Sequence, residues 1–234
     1  MASSGSAWHA EAVLVSAVFL AWRVQPEEVS VKTMKPREML SAERTSLAEF
    51  LHTLTEDDWL APSLCAGWRV RDVVAHAAVD AVSLGVYLGT ALRNPSINKL
   101  NDALVERTGH LSNEELLHHF ESAVRPGAFG KMAPAALHTD AMVHHQDIRR
   151  PLGRPRAIPE DRLVFALDHP DFGAHPKRYT KGLRFMANDV DWAKGNGPHV
   201  CGTGEALVLA MAGRPVVLGE LEGDGVPTLA ARMR

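Results

Sequence analysis

The chain has 234 residues, 46% of them hydrophobic and 23% charged, with a formal net charge of −3. That is enough for one larger domain, or one domain with a small companion, and for a proper buried core. The acidic balance and the lack of a dense Lys/Arg run argue against nucleic acid or an anionic membrane as partner. The two cysteines, Cys65 and Cys201, form no motif, which excludes a disulfide scaffold or Cys-based zinc site and fits a reducing cytoplasm.

The stretch "AVLVSAVFLAW" at 12–22 is apolar but too short to span a bilayer, and no basic residue precedes it as in a secretory signal. Residues 1–33 read as a disordered extension, or as sequence upstream of a more natural start at Met34. Leu40, Leu47, Phe50, Leu51 and Leu54 then recur at helical spacing. "TEDDW" follows, and Pro62 and Gly67 mark a loop. A second helix is predicted from about Val70 to Leu88, with Val70, Val74, Ala77, Ala81, Leu84 and Leu88 on one stripe. "RNPS" interrupts, and "INKLNDALVER" is a short helical stretch. Ser112 and Glu115 form a capping box that opens the next helix, with Leu116, Leu117, Phe120 and Val124 inside. A further helix, "HTDAMVHHQDIRRPLG" at its end, starts near Pro134 and stops at Pro151–Gly153.

Beyond Pro151 the composition shifts. Prolines recur, "EDRLVFALD" is the one helical run before residue 182, and "GLRFMANDVDW" reads as a strand. "GNG" is a turn after which "HVCG" can pair back, and "EALVLAMAG" and "VPTLAARM" are helical. The expected fold is therefore mainly α: an antiparallel four-helix bundle over 34–153, followed by a small α+β segment over 154–234.

On a helical wheel, Leu137, Ala141, His144 and Ile148 share a stripe with Asp140 beside it. Gln146, Arg149 and Arg150 point away or to the flank, and His145 lies on the shoulder. A carboxylate and an imidazole four residues apart are thus turned toward the bundle interior, where an unpaired charge is costly. Two readings stay open: a hydrogen-bonded pair at the bundle edge, or two metal ligands on adjacent turns. His76 offers a third ligand from the second helix, but its wheel face also holds Arg69, Asp72, Asp80, Ser83 and Tyr87 and is equally that of a solvated histidine. His118, His119, His169 and His175 read as surface.

"CAGWRVRDVVAH", followed about seventy residues later by "DAMVHHQDIRRPLG", resembles the mycothiol-dependent maleylpyruvate isomerase family, within the wider DinB-like metal-binding bundles. "GLRFMANDVDWAKGNGPHVCGTGEALVLAMAGRP" is similar to the end of actinobacterial members. The resemblance spans about residues 38–234. It implies a four-helix bundle with a divalent metal, usually zinc, held by His76, Asp140 and His144. Members commonly carry glutamate where Asp140 stands, so the metal or the helix has to shift by a methylene, and His145 is a competing donor. Two histidines and one carboxylate leave an open position for water or a thiol. Zinc stabilises the thiolate, the reactive form. In the isomerase reaction the thiol adds to an activated cis double bond, the bond rotates, and elimination gives the trans product.

The resemblance thus implies an enzyme using mycothiol on a maleylpyruvate-like dicarboxylate, or one transferring the thiol to an electrophile. A catalytically silent, ligand-binding bundle with a regulatory or stress role is the alternative. Asp147, three positions after His144, either orients a ligand from behind or caps a polar interaction. Asp80, Ser83 and Tyr87 share the His76 face and are candidates for a substrate or thiol pocket. Arg214 in "AGRP" is a candidate for a substrate carboxylate. Arg149 and Arg150 read as solvated or inter-domain arginines. Cys65 reads as a small packed residue.

Overall fold

The computed structural model describes residues 34–170 and 173–234; the expectations for residues 1–33 lie outside the described residues. From Met34 to Arg234 the chain forms one compact unit. Its helices are α1 (Pro36–Leu51), α2 (Glu56–Leu60), α3 (Val70–Ala77), α4 (Leu84–Arg93), α5 (Ile97–Glu106), α6 (Asn113–Ser122), α7 (Ala128–Met132), α8 (Pro134–Arg149), α9 (Glu160–Asp168), α10 (Pro176–Thr180), α11 (Gly204–Met211) and α12 (Val226–Arg232). Three strands, β1 (Arg184–Ala187), β2 (Ala193–Gly195) and β3 (His199–Gly202), precede α11.

Four of these helices close a ring. α1 packs on α8, α8 on α3, α3 on α6 and α6 back on α1. Leu47, Phe50 and Leu51 of α1, Val70, Val73 and Val74 of α3, Leu116 and Phe120 of α6 and Ile148 of α8 fill its centre. Each such side chain removed from water contributes about 1.5–3 kcal/mol. The protein is mainly helical, with a small three-stranded sheet near the C-terminus, as the sequence predicts.

A second core lies on the far side of α8. Met142 and Val143 of that helix join Leu163 and Leu167 of α9, Phe185 of β1, Val200 of β3 and Leu207–Met211 of α11. α8 is therefore sandwiched between two apolar clusters, and every residue from Ala141 to Ile148 is buried. A helix buried all round has no solvent face. This corrects the wheel reading of Gln146, which is buried and donates to Glu205.

Two local readings also change. The predicted helix from Val70 to Leu88 is broken: a 3-10 turn covers Ala78–Ala81, and Val82 and Ser83 are extended. The Ser83 hydroxyl accepts from the Val86 amide at 3.4 Å, so it starts α4 instead of continuing α3. The stretch "TEDDW", for which the sequence predicts no element, opens α2 at Glu56, with Thr55 and Asp58 forming a reciprocal capping box. "HVCG" pairs on the other edge of β1 from β2, and it runs parallel to β1. The reversal needs Gly195, at φ 91°, where a Cβ would lie 2.2 Å from the Leu183 carbonyl oxygen.

Candidate metal centre

The centre is built where α8, α3 and the loop before α3 meet. On α8, Oδ1 of Asp140 lies 3.3 Å from Nε2 of His144, one turn along the helix. The other ring nitrogen of His144, Nδ1, lies 2.9 Å from Oδ2 of Asp147. On α3, the His76 ring meets the His144 ring edge-on, with centroids 4.9 Å apart. Ligand-type atoms of His76, Asp140 and His144 all fall within 4.8 Å of one another.

The loop is fixed to α8 by a backbone vacancy. Residue 151 is proline, which has no N–H to donate to the Asp147 carbonyl. That carbonyl instead accepts from the Leu64 amide at 3.0 Å. A turn at Gly67, φ 81°, then brings the Trp68 amide to the Cys65 carbonyl at 2.9 Å. The result is that Cys65 Sγ sits 3.1 Å from Asp147 Oδ2 and 3.8 Å from His144 Nδ1. This corrects the reading of Cys65 as mere packing. No spacing signal pointed to it, because its position depends on a loop docked against a helix more than eighty residues away.

Burial works against charge here, and the neighbours decide. For Asp140, burial opposes ionisation, yet His144 outweighs it and holds the carboxyl down at about 2. For Asp147, burial is likewise overcome, by Arg214 and His144, and its carboxyl stays below the usual range. His144 is disfavoured as a cation by burial, but Asp140 and Asp147 push it well above the ordinary histidine value. His76 is pushed down to about 4 by burial and by the charge of His144. Its Nδ1 is buried and has no hydrogen-bond partner among the described residues. A buried polar atom left unpaired is costly and calls for a partner that the polypeptide does not supply.

Two donor sets share His144: His76 with Asp140, and Cys65 with Asp147. Arg214 separates them. Its Nε and Nη2 donate to Asp147 at 2.9 and 2.6 Å, and Nη2 lies 3.7 Å from Cys65 Sγ. A guanidinium already balances the second set. The first set, with its orphaned imidazole nitrogen and two-nitrogen, one-carboxylate chemistry, is the one that fits a divalent cation.

Residues 40–128 match the family model described as the mycothiol maleylpyruvate isomerase N-terminal domain. Over these residues the chain is similar to that domain. The matched segment runs from α1 to the start of α7 and includes His76; Asp140 and His144 lie beyond it. Among solved structures, the mycothiol-dependent maleylpyruvate isomerase shares the fold with a TM-score of 0.55 at 15% identity, covering 82% of this chain and 93% of that one. A histidine-to-alanine mutant of that isomerase matches with the same TM-score at 14% identity and the same coverage. No curated protein sequence matches.

The remaining residues singled out from the isomerase-like sequence scatter. Asp80 is buried and its carboxylate is taken up elsewhere: it accepts from Arg44 at 2.9 Å and from the amides of Gly127, Phe129 and Gly130. Ser83 caps α4, and Tyr87 packs on Phe129 with ring centroids 4.6 Å apart. Arg214 reaches the centre, but Asp147 and the Ala212 carbonyl take its donors. His145 faces the opposite way from His144. Its Nδ1–H donates to Glu43 at 2.9 Å and its Nε2 accepts from Arg149 at 2.8 Å. Both nitrogens are committed, and the arginine donor requires the neutral ring, in keeping with the drop to about 4 caused first by burial. Arg150, read as solvated or inter-domain, spans to Glu205 and Glu220 beside the second core. His118, His169 and His175 are exposed.

Proposed function

We propose that this protein is a divalent-metal-dependent enzyme, most simply a zinc enzyme, in which His76, Asp140 and His144 hold the ion. The reaction we assign is attack by a low-molecular-weight thiol, mycothiol, on an activated double bond of a maleylpyruvate-like dicarboxylate, for cis–trans isomerisation. Transfer of the same thiol to another electrophile is a variant of this chemistry. The observation that carries the reading is the convergence of ligand atoms of His76, Asp140 and His144 within 4.8 Å of one another, in a set whose His76 has a buried nitrogen without a hydrogen-bond partner among the described residues. The match of residues 40–128 and the fold shared with the isomerase support it.

A bound divalent cation would supply the charge that favours a thiolate over a thiol at neutral pH. The chain's own residues do the rest. Asp147 accepts from Nδ1 of His144 and so turns Nε2 toward Asp140. Arg214 carries the counter-charge of Asp147 and pins it against rotation with two hydrogen bonds. Burial of His144 strengthens its interactions with Asp140 and Asp147. Cys65, partly exposed, sits beside the same imidazole on the Asp147 side.

The division of labour we assign is a metal-binding bundle over 34–153 and a small α+β domain over 154–234, in keeping with the two apolar clusters. No described helix is long and apolar enough to cross a membrane. Two free thiols, one at the centre, suit a reducing cytoplasm.

Arg214 also favours a second reading. With its donors committed to Asp147 and Ala212, the guanidinium offers no free fork to a substrate carboxylate. A silent bundle that binds a cation without turnover is compatible with that. Metal analysis of the purified protein and of His144→Ala, followed by assays of maleylpyruvate and generic electrophiles with mycothiol, separates the readings. Stoichiometric metal lost in the variant, with thiol-dependent isomerisation, is the expected result. Metal without turnover on either substrate class selects the silent bundle, and no metal under any loading condition overturns both.

A further inference from the structure

The two histidines of the centre are held by different means. His144 has a carboxylate behind it, Asp147, at 2.9 Å. His76 has no carboxylate in that role, and no hydrogen bond to its ring is formed among the described residues. Its ring instead packs against two others: His144 with centroids 4.9 Å apart and Trp68 with centroids 5.3 Å apart. Trp68 is itself clamped at both ends. Its carbonyl accepts from the amide and the hydroxyl of Ser63 at 3.0 and 2.8 Å. Its indole Nε1–H, which can only donate, reaches Oδ1 of Asp102 on α5 at 3.1 Å. Leu100 and Leu104, buried on either side of Asp102, seat α5 on the bundle.

We propose that Trp68 and Asp102 form a latch that positions His76 for metal binding, doing by aromatic packing what Asp147 does for His144 by hydrogen bonding. The inference rests on the reading of His76 as a ligand to the cation. Without the indole, the imidazole is free to rotate about its Cβ–Cγ bond, and the donor atom leaves the other two. Without Asp102, the indole itself loses the hydrogen bond that fixes its tilt of 52° against the His76 ring. Asp102 is exposed, so replacing it leaves the apolar core intact.

The test is titration of the full-length protein with cobalt(II), read by its visible absorption, beside circular dichroism to confirm folding. Trp68→Ala is expected to weaken cobalt affinity by about 10- to 100-fold and to change the shape of the visible band, in the range seen when an outer partner of a metal ligand is removed. Asp102→Ala is expected to weaken it by a smaller but measurable factor, about 3- to 10-fold on the same scale. Asp102→Asn, which keeps an oxygen acceptor for the indole, restores the wild-type affinity and band. A merely structural role for Trp68 would change melting temperature without reshaping the cobalt spectrum. Wild-type affinity and spectrum in Asp102→Ala overturn the latch, whatever Trp68→Ala does. If the wild type binds no cobalt, or His76→Ala binds it as well as the wild type does, the ligand reading fails and the latch fails with it.

Discussion

Asp147 and Arg214 lie 67 residues apart in the chain, yet they share two hydrogen bonds of 2.9 and 2.6 Å on the concealed side of the His144 ring. The segment after α11 therefore reaches the bundle's candidate centre through one ion pair. Asp147→Ala removes the acceptor of His144 Nδ1 and leaves Arg214 without its counter-charge. Metal affinity is expected to fall by about 10- to 100-fold while the fold survives, as measured by calorimetric titration. Unchanged affinity would show that Asp147 serves stability alone.

His144 and His145 are neighbours in sequence with opposite duties. His145→Ala is expected to retain the full metal content of the wild type. It lowers stability by about 1–3 kcal/mol, because Glu43 and Arg149 each lose a buried partner. Metal analysis and urea unfolding of the two alanine variants, side by side, check this. A His145→Ala protein that folds but has lost its metal contradicts the assignment.

Glu43 on α1 has no exposed surface, and it accepts from His145, Arg156 and Arg162. Burial alone would neutralise it, but His145 and Arg156 hold its carboxyl down at about 2. Glu43→Gln leaves two arginines uncompensated in the interior and is expected to cost about 3–5 kcal/mol of folding free energy. The denaturant midpoint reads this directly, and a loss below about 1 kcal/mol would put the pair in the class of surface ion pairs.

Asp80 ties α1, the 3-10 turn and α7 together. Burial disfavours its ionisation, but Arg44 and the Gly130 and Gly127 amides outweigh it and lower its pKa. A carboxyl depressed in the folded state stabilises the protein fully above its unfolded value, about 4. That contribution is lost as pH falls through the lower, folded value. The wild type is therefore expected to lose stability with acid below about pH 4 more steeply than Asp80→Asn, whose side chain does not titrate. Parallel acid limbs in a thermal-melt series would refute this.

Much of the fold is legible in the sequence. The Ser112–Glu115 box does open α6, Pro134 starts α8, and α9 follows the predicted run. These are local features, set by capping and periodicity within a few residues. The break at Ser83 is missed because the apolar stripe runs on past it, and periodicity is blind to a hydroxyl that caps the next helix. Gln146 is misjudged because a wheel assumes one buried face, and α8 is covered on both sides.

By itself the sequence determines that Asp140 and His144 share a face of one helix, because four residues make about one turn. It also determines that the second helix carries a histidine. The tertiary structure decides that His76 meets them and that His145 turns to Glu43. It likewise decides that Cys65, Trp68, Asp102 and Arg214 surround the centre. The physical reason is range. A helix fixes the relations of residues three and four apart, whereas contacts across 34 to 149 residues depend on how helices and loops dock.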